Sequence, residues 1–241
     1  MIVSIVEKPI FIIGCPRSGT TIFLDLLSSH ENLAWVSERY NRFPRLHFLN
    51  LQNRIYSMGV LGERFLYNRR GNRFLPHPVE PWIFWEKYLS NFRWDRFVSV
   101  PRRRSKDDIS YDEIQTLRKT LKLVLRYQNK ERFLSKYTDF PRINYLLQVF
   151  PDAKFLHILR DGRAVSYSLF DRMIHGNFGF WDEREWWISG WPDSWLEKWV
   201  SSGMSPISFA AYMWKYFLME IWEDSKDLPD EQYTEIKYEE L

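Results

Sequence analysis

A loop near the start of the chain has residue types and spacing suited to holding an anion. Residues 14–21 read G-C-P-R-S-G-T-T, which matches the phosphate-loop spacing G-x-x-x-x-G-x-T, with Thr20 at the lysine position of nucleotide triphosphatases. The cation in the loop is Arg17, whose fork of donors suits a short phosphate-linked group approached from the side. The loop therefore favours a nucleotide with a shorter phosphate chain than ATP. The alternative is a strand-to-helix turn capped by Ser18 or Thr20 with no ligand.

The sequence around this loop predicts the elements that place it. Residues 9–14 form an unbroken apolar run typical of a strand buried on both faces, and apolar residues from Ile22 to Leu27 recur at helical spacing. A strand, a glycine loop and a helix N-terminus bring free backbone N–H groups and the positive end of a helix dipole to one point. That point suits a phosphate.

The rest of the chain alternates predicted strands with predicted helices, which indicates an α/β fold of three layers, a central parallel sheet flanked by helices. Its 241 residues predict a single domain over 1–241, with variable elaborations at about 39–110 and 174–205. Further strands are predicted at 33–36, 132–136, 154–159 and 233–238, and helices at 110–128, 143–149, from 162 onward and at 208–222.

A second anion site is predicted after the fourth strand. Arg160 follows that strand, and Ser168 and Arg172 are four residues apart on one face of the next helix. Ligands of open α/β sheets bind outside the carboxyl ends of the strands, where these residues fall. The alternative is that Arg160 and Ser168 pair with Asp161 or cap the helix.

Glu38 and Lys136 stand at the ends of two other predicted strands. Glu38 is a candidate general base, and the alternative is a surface acid paired with Arg39 or Arg42. Lys136 is a candidate for stabilising negative charge, and the alternative is a solvated lysine.

These motifs resemble the sulfotransferase family that uses 3′-phosphoadenosine 5′-phosphosulfate (PAPS), and are most similar to its tyrosylprotein branch. The resemblance rests on P-R-S-G-T-T, Glu38 and R-D-G-R-A-V-S-Y-S, and covers residues 9–38, 132–172 and 233–241. It implies in-line sulfuryl transfer to an acceptor hydroxyl, with 3′-phosphoadenosine 5′-phosphate as product. It also implies a 5′-phosphosulfate site at Arg17, Ser18, Gly19, Thr20 and Thr21, a 3′-phosphate site at Arg160, Ser168 and Arg172, and nucleotide binding by Tyr238.

In that family the residue matching Glu38 is the general base. The residues matching Lys136 and Arg17 stabilise negative charge on the departing phosphate. Because a sulfuryl group carries less charge than a phosphoryl group, we expect no metal. His47 and His77 are the other candidates for the base. His157, inside an apolar strand, is predicted to be a hydrogen-bonded core residue. Cys15, the one cysteine, is interpreted as a small loop residue rather than a nucleophile.

Arginine and tryptophan are unevenly distributed along the sequence, and both distributions bear on the identity of the acceptor. Residues 39–75 carry eight arginines and one acid, a local charge of +7 in a chain of net charge +3. This stretch either attracts an anionic acceptor or is a solvated face. Aromatic residues make up 18%, and Trp186, Trp187, Trp191, Trp195 and Trp199 line an acceptor cleft, form a dimer surface or build a satellite core. Trp214 and Trp222 are predicted to face the core.

The expected acceptor is a small molecule, sugar, lipid or peptide with a hydroxyl, and no nucleic-acid partner is expected. A homodimer is left open. Without a signal peptide or a membrane-length apolar run, a cytoplasmic location is expected. The resemblance also predicts that the family's segment beyond Y-E-E-L is missing, and Ile22 replaces a tryptophan that stacks on adenine. The alternatives to transfer are a phosphate-loop kinase or triphosphatase and a non-catalytic carbohydrate- or nucleic-acid-binding module.

Overall fold

Five parallel strands form the centre of the protein. The computed structural model describes residues 6–57, 74–89, 109–138, 142–175 and 191–240. The strands are β1 Ile10–Ile13, β2 Leu33–Trp35, β3 Arg132–Tyr137, β4 Lys154–Leu159 and β5 Tyr233–Lys237. They lie in the order β2-β3-β1-β4-β5, and every neighbouring pair is parallel. The predicted α/β fold with a central parallel sheet is confirmed.

The described helices include all of those predicted from the sequence. Ser110 and Glu113 form the expected capping box, in which the Ser110 hydroxyl accepts from the Glu113 amide at 3.3 Å and the Glu113 carboxylate accepts from the Ser110 amide at 2.9 Å. The sequence did not predict α2, α3 and α7, which are short. The helices are α1 Thr20–Leu27, α2 Glu38–Arg42, α3 Trp82–Tyr88, α4 Tyr111–Gln128, α5 Ile143–Val149, α6 Gly162–His175, α7 Asp193–Ser201 and α8 Pro206–Ser225, with 3-10 segments at His47–Ser57 and Tyr238–Glu240.

The sheet is covered on both faces, as the apolar run in β1 requires. Phe11 and Ile13 point into one apolar cluster with α3, α4 and α5, while Ile12 points into another with α1. Phe11 is fully buried, and its ring centroid lies 5.8 Å from that of Phe155 and 5.9 Å from that of Phe150. These contacts hold the strand that ends in the phosphate loop between two helical layers.

A satellite core accounts for part of the tryptophan-rich segment. Trp191 and Trp199 are each 4% exposed and pack on Phe209 of α8, with ring centroids 5.4 and 5.2 Å away. Trp195 is half-buried against Tyr216. Of the three interpretations of these tryptophans, the satellite core is therefore the one found. Trp186 and Trp187 lie outside the described residues.

Of the two tryptophans of the last helix that were predicted to face the core, only one does. Trp214 packs against the satellite core and against Gly162, where an added Cβ would lie 2.8 Å from the indole ring. Trp222 is 45% exposed, so its predicted core position is wrong. Because Ile221 takes the buried position at that turn, Trp222 points about 100° away, where its indole N–H donates to the Glu235 carboxylate.

His157 is confirmed as a hydrogen-bonded core residue. It is fully buried in β4, with Nδ1 at 2.8 Å from the Tyr233 hydroxyl and 3.3 Å from Oε1 of Glu235. The hydrogen bond from His157, together with those from Tyr233 and Trp222, lowers the pKa of Glu235 from 4.5 to about 2.

This cluster predicts an acid-sensitive contribution to stability. Because the pKa of Glu235 is lower in the folded protein, the stabilisation is complete above pH 4.5 and is lost as pH falls towards about 2. Thermal melts should show Glu235→Gln to be less stable than wild type at pH 6 by about 1 kcal/mol at most, since the carboxylate is partly exposed. The difference should shrink towards pH 3. A difference that stays constant with pH, or an equal effect of the exposed control Glu231→Gln, would contradict this.

Candidate active site

The predicted site residues lie at one edge of the sheet. The phosphate loop follows β1, Glu38 follows β2, Lys136 is near the end of β3, Arg160 follows β4, and Tyr238 follows β5. Because all five strands are parallel, these positions share the carboxyl edge.

The phosphate loop is open at the start of α1. Gly19 is the N-cap, in a left-handed conformation with φ of 100°, and no described side chain caps the helix. The interpretation of Ser18 or Thr20 as a simple cap is therefore wrong. The first amides of a helix have no acceptor four residues earlier within the helix. The Ile22 amide donates to the Gly19 carbonyl at 2.9 Å, which leaves the amides of Thr20 and Thr21 for an anion. Among the described residues, nothing hydrogen-bonds to the hydroxyl of Ser18, which is 1% exposed.

Tyr238 packs directly on this loop. A Cβ added at Gly19 would lie 2.6 Å from Cε2 of the tyrosine ring, so only glycine allows this approach. The Arg160 guanidinium lies 4.5 Å from the centroid of the same ring. The end of β5 thus contacts both predicted anion sites.

The two predicted anion sites adjoin. Nε of Arg17 donates to the Ser168 hydroxyl at 2.9 Å, and Nη1 of Arg160 donates to the carbonyl of Arg17 at 3.1 Å. Arg172 lies one turn beyond Ser168 on α6, and its side chain is exposed.

Asp161 does not take Arg160 as its partner. Its carboxylate pairs with Arg163 at 2.8 Å and accepts from the backbone amides of Arg163 and Ala164. The Arg163 side chain, followed by these amides, lowers the pKa of Asp161 to about 2. The alternative, in which Arg160 pairs with Asp161, is therefore not found.

Lys136 is directed at the phosphate loop. Its Nζ donates to the Thr21 hydroxyl at 3.0 Å and lies 3.1 Å from Oε2 of Glu80. The lysine side chain is 9% exposed, so the alternative of a solvated lysine is wrong. Sequence reasoning missed Glu80, because it falls in the region 39–110 that was predicted to be variable and no local pattern links it to β3.

Glu38 pairs with His77, not with Arg39 or Arg42. The distance from Oε2 of Glu38 to Nε2 of His77 is 3.0 Å, and the side chains are 57% and 41% exposed. Arg39 instead donates to Gln52 and to the backbone. Glu38, the first candidate for the base, and His77, one of its two rivals, therefore form one close pair.

His47, the second rival for the role of base, and Cys15 of the phosphate loop are both partly or wholly removed from solvent. Nδ1 of His47 lies 2.8 Å from the Tyr40 hydroxyl, and partial burial lowers the pKa of the imidazole. Cys15 is 2% exposed, and burial raises the pKa of its thiol well above the ordinary value. A buried neutral thiol is a poor nucleophile, which agrees with the interpretation of Cys15 from sequence.

A groove of about 500 Å³ opens where α2 ends and meets α3. Arg42, the first residue of its wall, is one helical turn from Glu38 on α2. The groove combines three cations and one acid, Glu86, with exposed apolar side chains. Residues that line it include Arg42, Arg45, Lys87, Phe43, Leu46 and Ile83.

The fold and this edge define a parallel α/β protein of the phosphate-loop type, in which a lysine from a neighbouring strand contacts the loop. A family model described as the sulfotransferase family matches residues 9–241. The chain belongs to this family. The predicted nearness to the tyrosylprotein branch stays a prediction.

Two curated relatives are similar over much of the chain. They are named omega-hydroxy-beta-dihydromenaquinone-9 sulfotransferase Stf3, from Mycobacterium bovis and Mycobacterium tuberculosis, and are 27% identical over 181 residues. The match covers 71% of this chain and 45% of each relative. The chain thus spans about half the length of the curated relatives it matches.

Solved sulfotransferase structures share the fold. STF1 from Mycobacterium tuberculosis has a TM-score of 0.58 at 15% identity, over 99% of this chain and 64% of that one. STF9 from Mycobacterium avium has a TM-score of 0.56 at 17% identity, over 98% and 60%. No helix in the described ranges has both the length and the apolar character of a membrane span.

Proposed function

We propose that this protein transfers a sulfuryl group from PAPS to an acceptor hydroxyl and releases 3′-phosphoadenosine 5′-phosphate. The observation that carries the proposal is the hydrogen bond between Arg17 of the phosphate loop and Ser168 of α6. This hydrogen bond joins one residue of each predicted anion site, and Arg160 donates to the carbonyl of Arg17 beside it. A nucleotide phosphorylated on both its 3′ and 5′ positions matches two adjoining anion sites.

Three features of the loop support this fit. The hydroxyl of Ser18 is buried without an acceptor or donor among the described residues, α1 begins without a side-chain cap, and the contact of Gly19 with Tyr238 requires the absence of a Cβ. We assign the 5′-phosphosulfate to Arg17, Ser18, Gly19, Thr20 and Thr21, and the 3′-phosphate to Arg160, Ser168 and Arg172, with Tyr238 covering the loop.

PAPS would supply a sulfuryl group activated by its bond to the 5′-phosphate. Glu38 takes the proton of the acceptor hydroxyl, as the acceptor oxygen bonds to sulfur and the bond from sulfur to the phosphate oxygen breaks. Lys136 and Arg17 stabilise the negative charge on the departing phosphate oxygen. Because these two cations supply the positive charge, the proposal includes no metal.

The acceptor is proposed to be an apolar alcohol that binds in the groove next to Glu38. Phe43, Leu46 and Ile83 expose apolar surface there, while Arg42 and Arg45 add positive charge. The mycobacterial relatives are named for an omega-hydroxy dihydromenaquinone, an apolar molecule with a hydroxyl. A lipid-like acceptor is therefore favoured over a sugar or a peptide.

A thermal-shift comparison tests the proposed nucleotide. A ligand present at about 100 times its dissociation constant adds about 2.7 kcal/mol, which raises the melting temperature of a protein of this size by about 5–10 °C. We expect such a shift with 3′-phosphoadenosine 5′-phosphate and none with ATP and magnesium. A shift with ATP alone would favour the kinase alternative, and no shift with either nucleotide would favour the non-catalytic module.

A further inference from the structure

We propose that Glu80 is a positioning residue for the reaction, acting through Lys136. This inference rests on the proposed function. No motif in the sequence singles out Glu80, yet its carboxylate is 16% exposed and lies 3.1 Å from the Lys136 ammonium. An acid this close to a predicted catalytic cation offsets its charge and fixes its direction.

The carboxylate itself is fixed in place. Oε1 accepts from the Thr138 amide at 2.6 Å and from the Thr138 hydroxyl at 2.8 Å, while Oε2 faces Lys136. Thr138 stands two residues beyond Lys136 in the same chain segment. Glu80 thus binds the end of β3 at two points and cannot turn without losing several hydrogen bonds.

The lysine is held from two sides. Oε2 of Glu80 lies 3.1 Å from the ammonium as its counter-ion, and the ammonium donates to the Thr21 hydroxyl at 3.0 Å. An ammonium has three N–H donors, so at least one remains for a ligand in the loop that contains Thr21. Because the ammonium is largely buried, a counter-ion beside it stabilises the folded arrangement, and Glu80 supplies one. Glu80 therefore offsets the charge of Lys136 and directs its ammonium at the departing phosphate oxygen.

Residues 77–80 contain one side chain that contacts Glu38 and another that contacts Lys136. The Glu38 amide donates to the His77 carbonyl at 3.1 Å, the Val79 amide donates to the Val36 carbonyl at 3.3 Å, and Ser37 forms an antiparallel bridge with Pro78. Residues 77–80 are therefore fixed to the end of β2. The segment presents His77 to Glu38 at its beginning and Glu80 to Lys136 at its end.

The test compares turnover with nucleotide binding in Glu80→Gln, which keeps the shape of the side chain and removes its charge. We expect kcat to fall about tenfold to a hundredfold, since small displacements of catalytic groups have effects of this size. The dissociation constant for 3′-phosphoadenosine 5′-phosphate should not rise, because the change removes a negative charge beside an anion site. The control Glu131→Gln changes an exposed acid at the other end of β3 and should leave both quantities unaltered.

A double mutant separates positioning from a structural role. If Glu80 acts through Lys136, then Glu80→Gln should lower kcat no further in a Lys136→Met background. Additive losses of kcat, or equal losses of kcat and nucleotide affinity in the single variant, would overturn the inference. An unchanged kcat in Glu80→Gln, measured against an active wild type, would also overturn the inference. A wild type that fails to bind the bisphosphate nucleotide would instead contradict the proposed function.

Thr138→Val provides the test if Glu80→Gln does not fold. It removes one donor that fixes the Glu80 carboxylate without changing any charge. A lower kcat with unchanged nucleotide affinity would support the inference, and an unchanged kcat would overturn it.

Discussion

Replacing Lys136 with methionine is expected to lower the rate of sulfuryl transfer by about 10²–10³-fold, the usual effect of removing one donor that stabilises charge in a transition state. Methionine retains the apolar stem of lysine and removes the ammonium that the structure directs at Thr21. Single-turnover formation of 3′-phosphoadenosine 5′-phosphate, with saturating PAPS and acceptor, would measure the change.

The same substitution should also reduce stability. It leaves the largely buried Glu80 carboxylate without the Lys136 ammonium that faces it, and breaking a buried ion pair from one side costs about 3–5 kcal/mol, less where the pair is partly exposed. Adding Glu80→Gln should restore part of the lost melting temperature. Lys119→Met on the exposed face of α4 is the control and should change neither rate nor stability. Full activity of Lys136→Met would remove the lysine from the mechanism.

Replacing Glu38 with glutamine is expected to lower kcat by about 10²–10⁴-fold, the range for a general base. Glutamine keeps the size of the side chain and a carbonyl that His77 can contact, but it cannot accept the acceptor's proton. The affinity for 3′-phosphoadenosine 5′-phosphate should be unchanged, because Glu38 belongs to the acceptor side. Single-turnover rates and calorimetric binding would give the two quantities separately.

His77→Asn distinguishes the two members of the pair. If Glu38 is the base and His77 orients it across their 3.0 Å contact, the histidine variant should lose less activity than Glu38→Gln. A larger loss in His77→Asn would make the histidine the base and the glutamate its orienting group. The exposed Glu31→Gln serves as the control for a change of charge alone.

Features encoded in short stretches of sequence could be predicted. The loop after β1, the end of β3 and the start of α6 each carry their apolar pattern and their polar residues within about ten positions, so their places at the carboxyl edge of the sheet follow from strand direction. The buried hydrogen-bonded state of His157 follows in the same way from its place inside an apolar strand.

Contacts between distant parts of the chain could not be predicted. The bridge between Ser37 and Pro78 joins residues that no periodicity relates, and together with the backbone hydrogen bonds beside it the bridge brings His77 and Glu80 to the site. The outward direction of Trp222 depends on which side of α8 meets the sheet, which the mixed apolar pattern of that helix does not specify.

The central claim is that the site recognises a nucleotide by its 3′-phosphate, and titration calorimetry tests it most directly. Two ligands differ only in that group, 3′-phosphoadenosine 5′-phosphate and adenosine 5′-phosphate. Each hydrogen bond to a charged group contributes about 1.5–3 kcal/mol, so wild type should bind the bisphosphate at least about 10²-fold more tightly.

Arg160→Ala should reduce that ratio to about tenfold or less, since it removes one of the two guanidinium groups assigned to the 3′-phosphate. Arg163→Ala, three residues away and paired with Asp161 outside the site, should leave the ratio as in wild type. Equal binding of the two nucleotides by wild type, or a preference that survives Arg160→Ala, would contradict the account.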